Sequence, residues 1–300
     1  MSNPPLRAGE RHQAAITGCN HQGQGVARVD GFAVFVPGAI PGELVAFTIV
    51  QVKARYALAE LAEVLEPSPA RQVPPCPVYG ICGGCQFQHV RYSLQLELKH
   101  ELVADALRRL GGTEAPVAPT LGMEYPWCYR NHGQFHVAFV QGRNRLGFHA
   151  PRTHQVVPAE SCPLFSPAVN RILRFVASHP DANTPPAAGP GGSWRRLAVR
   201  ESLSSGQHLL VFETVDRRWH PGPLAEAVAA AFPSVTSVFW RPAVTGRGQH
   251  GRCELVFGGP FLREVLNGLS FRISAESFMQ VNTRQAATLF ALVREVAALQ

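Results

Sequence analysis

The stretch Val26-Ala27-Arg28-Val29-Asp30-Gly31-Phe32-Ala33-Val34-Phe35-Val36-Pro37-Gly38 reads as two short strands. A turn at Asp30-Gly31 separates them and Pro37-Gly38 ends the second, while valine and phenylalanine supply the strand-forming character. Upstream, residues 13–17 (QAAIT) lead into the glycine-broken Gly23-Gln24-Gly25. Downstream, a Pro41-Gly42 turn precedes residues 43–50 (ELVAFTIV), and a last strand covers 57–65. Five short strands in about fifty residues suggest a small closed barrel, an architecture that leaves no open sheet edge. The proline-punctuated linker Glu66-Pro67-Ser68-Pro69 ends it.

Beyond the linker, Cys76, Cys82 and Cys85 form a C-x5-C-x2-C run, and Cys162 stands alone in Ser161-Cys162-Pro163-Leu164. Three thiolates on one tight loop and a fourth from a distant segment suit a cubane iron–sulfur cluster, in which each iron takes one protein sulfur. Gly83 and Gly84 let the backbone wrap closely around a bulky inorganic group. A structural zinc site is normally built from two close ligand pairs, and the second pair is missing; zinc and reduced structural thiols nevertheless stay open. A thioredoxin-like reading of Cys82 and Cys85 leaves Cys76 and Cys162 unexplained, and a disulfide framework belongs to small secreted domains. Cys19, Cys128 and Cys253 read as small buried hydrophobes.

The 300 residues, 46% of them hydrophobic, are enough for two or three domains with their own cores. No run approaches the ~18 apolar residues of a membrane span, and residues 1–10 lack the apolar centre of a signal peptide. Seven cysteines without an export signal point to the reducing cytoplasm. The formal net charge of +7 is unevenly spread. Residues 1–75 balance, whereas 125–159 hold no acid but carry Arg130, Arg143, Arg145 and Arg152 with His132, His136, His149 and His154. A second acid-free stretch, 227–253, carries Arg241, Arg247 and Arg252. Such a surface suits a polyanion, because guanidinium groups pair bidentately with phosphates and stack on bases. Only Lys53 and Lys99 among the 28 basic residues are lysines, so part of the arginine excess is compositional bias.

Leu94, Leu98, Leu102, Ala106 and Leu110 recur every four residues, widened by Val103 and Leu107, and predict a helix over 92–110 that Gly111-Gly112 stops. From 125 to 257 strands and turns dominate, with helices at 167–178 and 223–232. Residues 181–193 (DANTPPAAGPGGS) read as a loop that does not pack. Residues 269–273 (LSFRI) read as a strand, and 284–299 as a final amphipathic helix.

In this order the pieces resemble the N-terminal two thirds of a bacterial uracil-5 RNA methyltransferase, the family that makes 5-methyluridine in 23S ribosomal RNA. Residues 13–64 are similar to its TRAM domain, an OB-like RNA-binding barrel, and Cys76 to His89 to its cluster loop. Tyr129-Arg130-Asn131 resembles the opening of its central RNA-binding domain, Cys162-Pro163-Leu164 its fourth cluster ligand, and Ser277-Phe278-Met279-Gln280-Val281-Asn282 the start of its catalytic domain. The resemblance implies a multi-domain fold class. An N-terminal all-β OB-like (TRAM) barrel covers 10–67, and a central α+β iron–sulfur and RNA-binding domain covers 75–258. Only the start of an α/β Rossmann-like methyltransferase domain follows over 268–300, against which the 92–110 helix packs. It implies a monomer that binds RNA and no membrane, with a structural 4Fe–4S cluster on Cys76, Cys82, Cys85 and Cys162.

The implied reaction moves a methyl group from S-adenosylmethionine to carbon 5 of a uridine. That carbon becomes nucleophilic once a thiolate adds at carbon 6, and a base then removes the carbon-5 hydrogen. The target base first leaves its stack, where an aromatic side chain can hold it. By the resemblance, Phe278 is the candidate for that contact, Gln280 for S-adenosylmethionine, and Arg130 and Asn131 for RNA. No strand, glycine-rich turn and helix of Rossmann type is visible: Gly189-Pro190-Gly191-Gly192 lies in the proline-rich loop, and 246–251 opens no helix. The family's nucleophile and base are therefore expected past Gln300, no catalytic residue is assigned, and the chain alone is expected not to methylate RNA. Two other classes stand beside this one. A non-catalytic RNA-binding iron–sulfur protein needs no further part. A radical methylthiotransferase would need a C-x3-C-x2-C loop and usually carries its TRAM domain last.

Overall fold

The computed structural model describes residues 5–183, 194–215, 217, 219–242 and 251–298. Arg247, Leu299, the Gly189–Gly192 run and most of the expected 181–193 loop lie outside the described residues. The chain divides into two compact units, one of Met1–Gly80 with Cys85–Glu124, the other of Ile81–Gly84 with Tyr125–Gln300.

The first unit holds β1 (Arg11–Ala15), β2 (Gly18–Cys19), β3 (Gln24–Val29), β4 (Phe32–Pro37), β5 (Leu44–Val52) and β6 (Tyr56–Glu66). They form one sheet in the order β1-β5-β6-β4-β3-β2, with β4 and β6 parallel. Asp30 and Gly31, at φ 50° and 79°, make the two-residue turn that pairs Val29 with Phe32. Two successive positive φ values give a turn whose twist matches that of its strands. Gly25 is a close approach, since a Cβ there would sit 2.8 Å from the Ala39 carbonyl oxygen. Alternate residues point inward, so Val34 and Val36 meet Val45, Phe47 and Ile49 in a closed apolar core. Arg71 ties the following linker to the barrel, donating to the Gly38 carbonyl at 2.7 Å and to Glu43 Oε2 at 2.9 Å.

Helix α1 (Tyr92–Arg109) belongs to this unit. Its apolar stripe is buried less than its periodicity suggests: Leu98 is buried and Leu94 and Leu102 are half-buried, while Ala106 and Leu110 are exposed.

The second unit contains β7 (His132–Val140), β8 (Arg143–His149), β9 (Val156–Pro158), α2 (Pro167–Ser178), α3 (Pro180–Asn183), β10 (Trp194–Glu201) and β11 (His208–Thr214). It continues with α4 (Gly222–Ala231), β12 (Val235–Pro242), β13 (Glu254–Gly258), β14 (Leu262–Leu266), β15 (Leu269–Ile273) and α5 (Thr283–Val296). Seven strands run in the order β13-β12-β11-β10-β7-β8-β9, and β11 and β12 are parallel because α4 carries the chain back between them. Ser166 caps α2 by accepting from the Val169 N–H, with Pro167 at the first helical position, where its missing N–H costs nothing. Short α3 takes Asp181–Asn183 out of the segment expected to be loop.

Cross-strand rows separate the two faces of this sheet. Leu197 and Phe212 lie in one row, packed with Trp194, while Ala198, Val211 and Phe239 lie in the other. The second face is covered between β10 and β12 by the β14–β15 hairpin, whose Leu262 and Ile273 join Ala198, Leu209, Val211 and Phe239 in one core. This corrects the expected fold class, in which residues 268–300 were only the start of a separate Rossmann-like domain. The 269–273 strand completes a hairpin that fills the core of the large sheet, and Arg130 pairs with Asn282 at the head of α5. The segment is thus part of the second unit.

Candidate functional site

Two motifs about 150 residues apart in sequence meet in the second unit. Asn131 donates its backbone N–H to the Val281 carbonyl at 2.9 Å, and its side-chain amide to the Gln280 carbonyl at 2.9 Å and Thr283 Oγ1 at 2.8 Å. Asn282 caps α5 by accepting from the Gln285 N–H at 3.1 Å. On the other side of Phe278, Arg200 donates to the Ser277 carbonyl, and Arg241 Nη2 pairs with Glu276 Oε1 at 3.0 Å. Residues 276, 277, 280 and 281 are therefore each anchored, and Met279 packs against the core of the large sheet. Phe278 is left as the crest of a clamped loop, 85% exposed, with Gln280 exposed beside it. A large apolar ring held out in water by anchored neighbours is an arrangement suited to stacking on a flat partner.

Arg130 is half-buried: Nε donates to the His132 carbonyl at 2.9 Å and the guanidinium lies 5.9 Å from the centre of the Phe165 ring. Arg130 and Asn131 thus hold the loop's frame, and both are half-buried. Arg200, Glu213 and Glu276 were not singled out from sequence. Glu213, almost fully buried, accepts from Arg196 Nε and Nη2, both at 2.8 Å, and from Arg241 Nη1 at 3.1 Å. A chain of charge thereby runs Arg196–Glu213–Arg241–Glu276 along the sheet to the residue two before Phe278. Only the register of β10, β11 and β12 brings these groups together, so no local spacing signals them.

The expected cluster ligands are divided, Cys76 and Cys85 in the first unit and Cys82 and Cys162 in the second. In the first, the Tyr79 hydroxyl donates to the Gln86 carbonyl at 2.7 Å and also meets His89 Nδ1. Burial, then the Cys85 thiol, pushes the Tyr79 hydroxyl up to about 12, while burial, then Arg71, pulls the His89 imidazole down to about 4. In the second, Gly83 donates to the His149 carbonyl at 3.0 Å, and a Cβ on it would lie 2.9 Å from that oxygen. Asn170 accepts from the Cys162 N–H at 2.8 Å and donates to its carbonyl at 3.1 Å, so the Cys162 backbone is fixed. Among the described residues no group of three or more His, Cys, Asp or Glu side chains is arranged to hold a metal ion. Neither unit alone supplies a four-thiolate set.

The three remaining cysteines make poor nucleophiles, because a reactive cysteine needs a lowered pKa. Burial pushes Cys19 up to about 11. Cys253 is raised by burial against the pull of Arg241, whose Nε lies 3.2 Å from its sulfur. Cys128, expected to be buried, is exposed at φ 52°, and desolvation, then Glu201, raises its thiol. No helix of the described residues is long and apolar enough to cross a membrane.

Residues 5–62 match the TRAM domain family. The chain is 32% identical over 302 residues to an uncharacterized RNA methyltransferase of Halalkalibacterium halodurans, covering 98% of this chain and 66% of the relative. It is 33% identical over 316 residues to one of Listeria monocytogenes, covering 100% of this chain and 67% of the relative. The chain thus spans about two thirds of the length of the curated relatives it matches. Among solved structures, the Pyrococcus abyssi tRNA (uracil-54, C5)-methyltransferase bound to S-adenosyl-L-homocysteine superposes with a TM-score of 0.67 at 23% identity, covering 94% of this chain and 64% of that one. The likeness in fold to that methyltransferase runs through nearly the whole chain and so also overturns a barrel and central domain followed only by a domain start.

Proposed function

This chain belongs to the RNA methyltransferase family of these relatives, and from that premise we propose that its protein methylates carbon 5 of a uridine, with 23S ribosomal RNA as the substrate. The observation that carries the reading is the clamped loop: four anchored residues around Phe278, whose ring is 85% exposed. A rigidly presented aromatic can stack on an extruded base, or fill the gap it leaves, without first ordering itself. The TRAM barrel supplies a second RNA-binding element.

S-adenosylmethionine, when bound, supplies an electrophilic methyl group. Gln280, exposed two residues after Phe278, offers an amide donor and acceptor to it. Asn131 and Arg130 act by holding that segment in place. The four cysteines, by their spacing, support a structural 4Fe–4S cluster; with four thiolate ligands no iron is open to substrate, and the cluster takes no part in the reaction.

The test is methyl transfer from labelled S-adenosylmethionine to unmodified ribosomal RNA by the native protein and its Phe278→Ala variant. Stacking of one base on an aromatic is worth ~1–3 kcal/mol, so the variant is expected to lose about 5–150-fold in rate. Its fold should be untouched, because the ring packs on almost nothing. RNA binding without any methyl transfer would instead support a non-catalytic RNA-binding protein.

A further inference from the structure

Among the described residues of the second unit, the hairpin that covers the second face of the large sheet packs over β10 to β12 and not over β7 and β8. His136 pairs with Arg196 on β10, and Ala138 pairs with Arg145 and Val140 with Arg143 on β8. Because side chains alternate, His136, Arg145, Arg143 and Arg196 share one face, the same face whose Ala198 and Val211 lie under the β14–β15 hairpin. Arg200, which ties down Ser277 next to Phe278, is in this set too, two and four residues along β10 from Ala198 and Arg196.

Charge on strands β7 and β8 is one-sided, and Glu160 is the one acid among the described residues of the cleft that Arg143 and Arg145 line. Strands β7 and β8 contain no acidic residue, and Arg143, Arg145 and Arg195 are exposed. None of these three makes an ion pair with a described residue, whereas Arg196 and Arg241 share Glu213. Beside Arg196, the His136 and His149 rings stack at 3.8 Å between centroids and 25° between planes. Gly147, opposite His136, lies against β9, where a Cβ on it would meet the Val157 carbonyl oxygen at 2.0 Å. Arg195 sits in the β10 bulge between Trp194 and Arg196, next to the residue that pairs with His136; burial, then His149, Arg196 and Arg195, pulls the His136 imidazole down to about 4. Unpaired guanidinium groups repel one another and gain when an anion enters, and a stacked ring pair beside them offers a flat aromatic edge.

We propose that Arg143, Arg145 and Arg195, around the His136–His149 stack, form a shelf that binds the phosphates of a single-stranded RNA segment while Phe278 engages one of its bases. The shelf rests on the proposed RNA-methylating function and adds to it the surface that holds the strand. Single-stranded RNA fits because its splayed bases can stack on imidazole and arginine planes, which a duplex does not allow. Contacts of this kind set register without reading sequence.

The test is binding of a labelled single-stranded ribosomal RNA oligonucleotide by fluorescence anisotropy across a salt series. Each phosphate contact to a single strand contributes ~0.7 to the slope of log affinity against log salt, so replacing all three arginines by glutamine should flatten the slope by about 2. Unrelated RNA sequences should lose affinity equally, and replacement by lysine should keep most of the slope, because counterion release counts charge. A slope unchanged in the glutamine variant overturns the shelf, as does a lysine variant as flat as the glutamine one. Methyl transfer that depends on Phe278 together with an unchanged slope overturns the shelf alone. An arginine-dependent slope in a native protein that transfers no methyl overturns the proposed reaction and leaves the shelf standing.

Discussion

Replacing Glu213 with glutamine probes the charge chain that supports the Phe278 loop. The carboxylate is 4% exposed and sits between Arg196 and Arg241, whose side chains are 19% and 17% exposed. Glutamine keeps the volume and removes the charge, leaving two mostly buried guanidinium groups facing each other. Deleting one partner of a buried pair costs ~3–5 kcal/mol. Here Arg196 keeps Gln134, and Arg241 keeps Glu276 and the Cys253 sulfur, so about 2–4 kcal/mol is expected. The readout can be confined to the right unit, because all four tryptophans, Trp127, Trp194, Trp219 and Trp240, lie in the second. Urea unfolding followed by tryptophan fluorescence should show the loss. The double variant Glu213→Gln with Arg241→Gln should lose at least ~1 kcal/mol less than the sum of the singles, since the repulsion is then gone. A Glu213→Gln variant within ~0.5 kcal/mol of the parent, as is usual for surface changes, would refute this account of the chain.

Asn131→Ala removes two side-chain hydrogen bonds from the loop and should cost ~1–3 kcal/mol in the same unfolding experiment; methyl transfer should fall with it, and an unaltered rate would detach Asn131 from the site. In the first unit, burial pushes the Glu43 carboxyl up, but Arg71 and the Ile40 N–H outweigh it and hold the pKa below the usual carboxylate range. A depressed carboxylate stabilises above its unfolded pKa of ~4.3 and stops doing so as pH falls through its folded value, so circular dichroism melts should drop below about pH 4.3 and do so less in Glu43→Gln. An identical acid profile in that variant would contradict the pairing. Cys162→Ser should lower the iron bound by anaerobically purified protein together with absorbance near about 400 nm, as expected for loss of one thiolate of a cluster. Full iron content would remove Cys162 from the ligand set.

Much of the first unit was legible because its signals are local. Asp30-Gly31 carries the positive φ values of a tight turn on its face, and the alternation of 32–36 and 44–49 marks the inward side chains. Helix α2 was readable from its Ser166-Pro167 start and its apolar period. The β14–β15 hairpin shows only its second strand in the sequence pattern, although Asn267-Gly268, at φ 49° and 82°, is the same turn chemistry as Asp30-Gly31. What was not legible is non-local. That Arg130 and Asn131 lie alongside 280–283, or that Glu213 serves both Arg196 and Arg241, depends on strand order and register across the sheet. The motif residues Phe278 and Gln280 were found by resemblance, but their exposure and the anchoring of their neighbours emerge only from the fold.

The central claim is chemistry at carbon 5 of a uridine under the control of the Phe278 loop. Ribosomal RNA made with tritium at uracil carbon 5 tests both parts at once, because substitution at that atom releases the label to water. With S-adenosylmethionine the native protein should release tritium in step with methyl incorporation, and Phe278→Ala should slow both about 5–150-fold, the stacking energy of one base, while the fold persists. Methyl incorporation without tritium release, or release at the parent rate in Phe278→Ala, would contradict it.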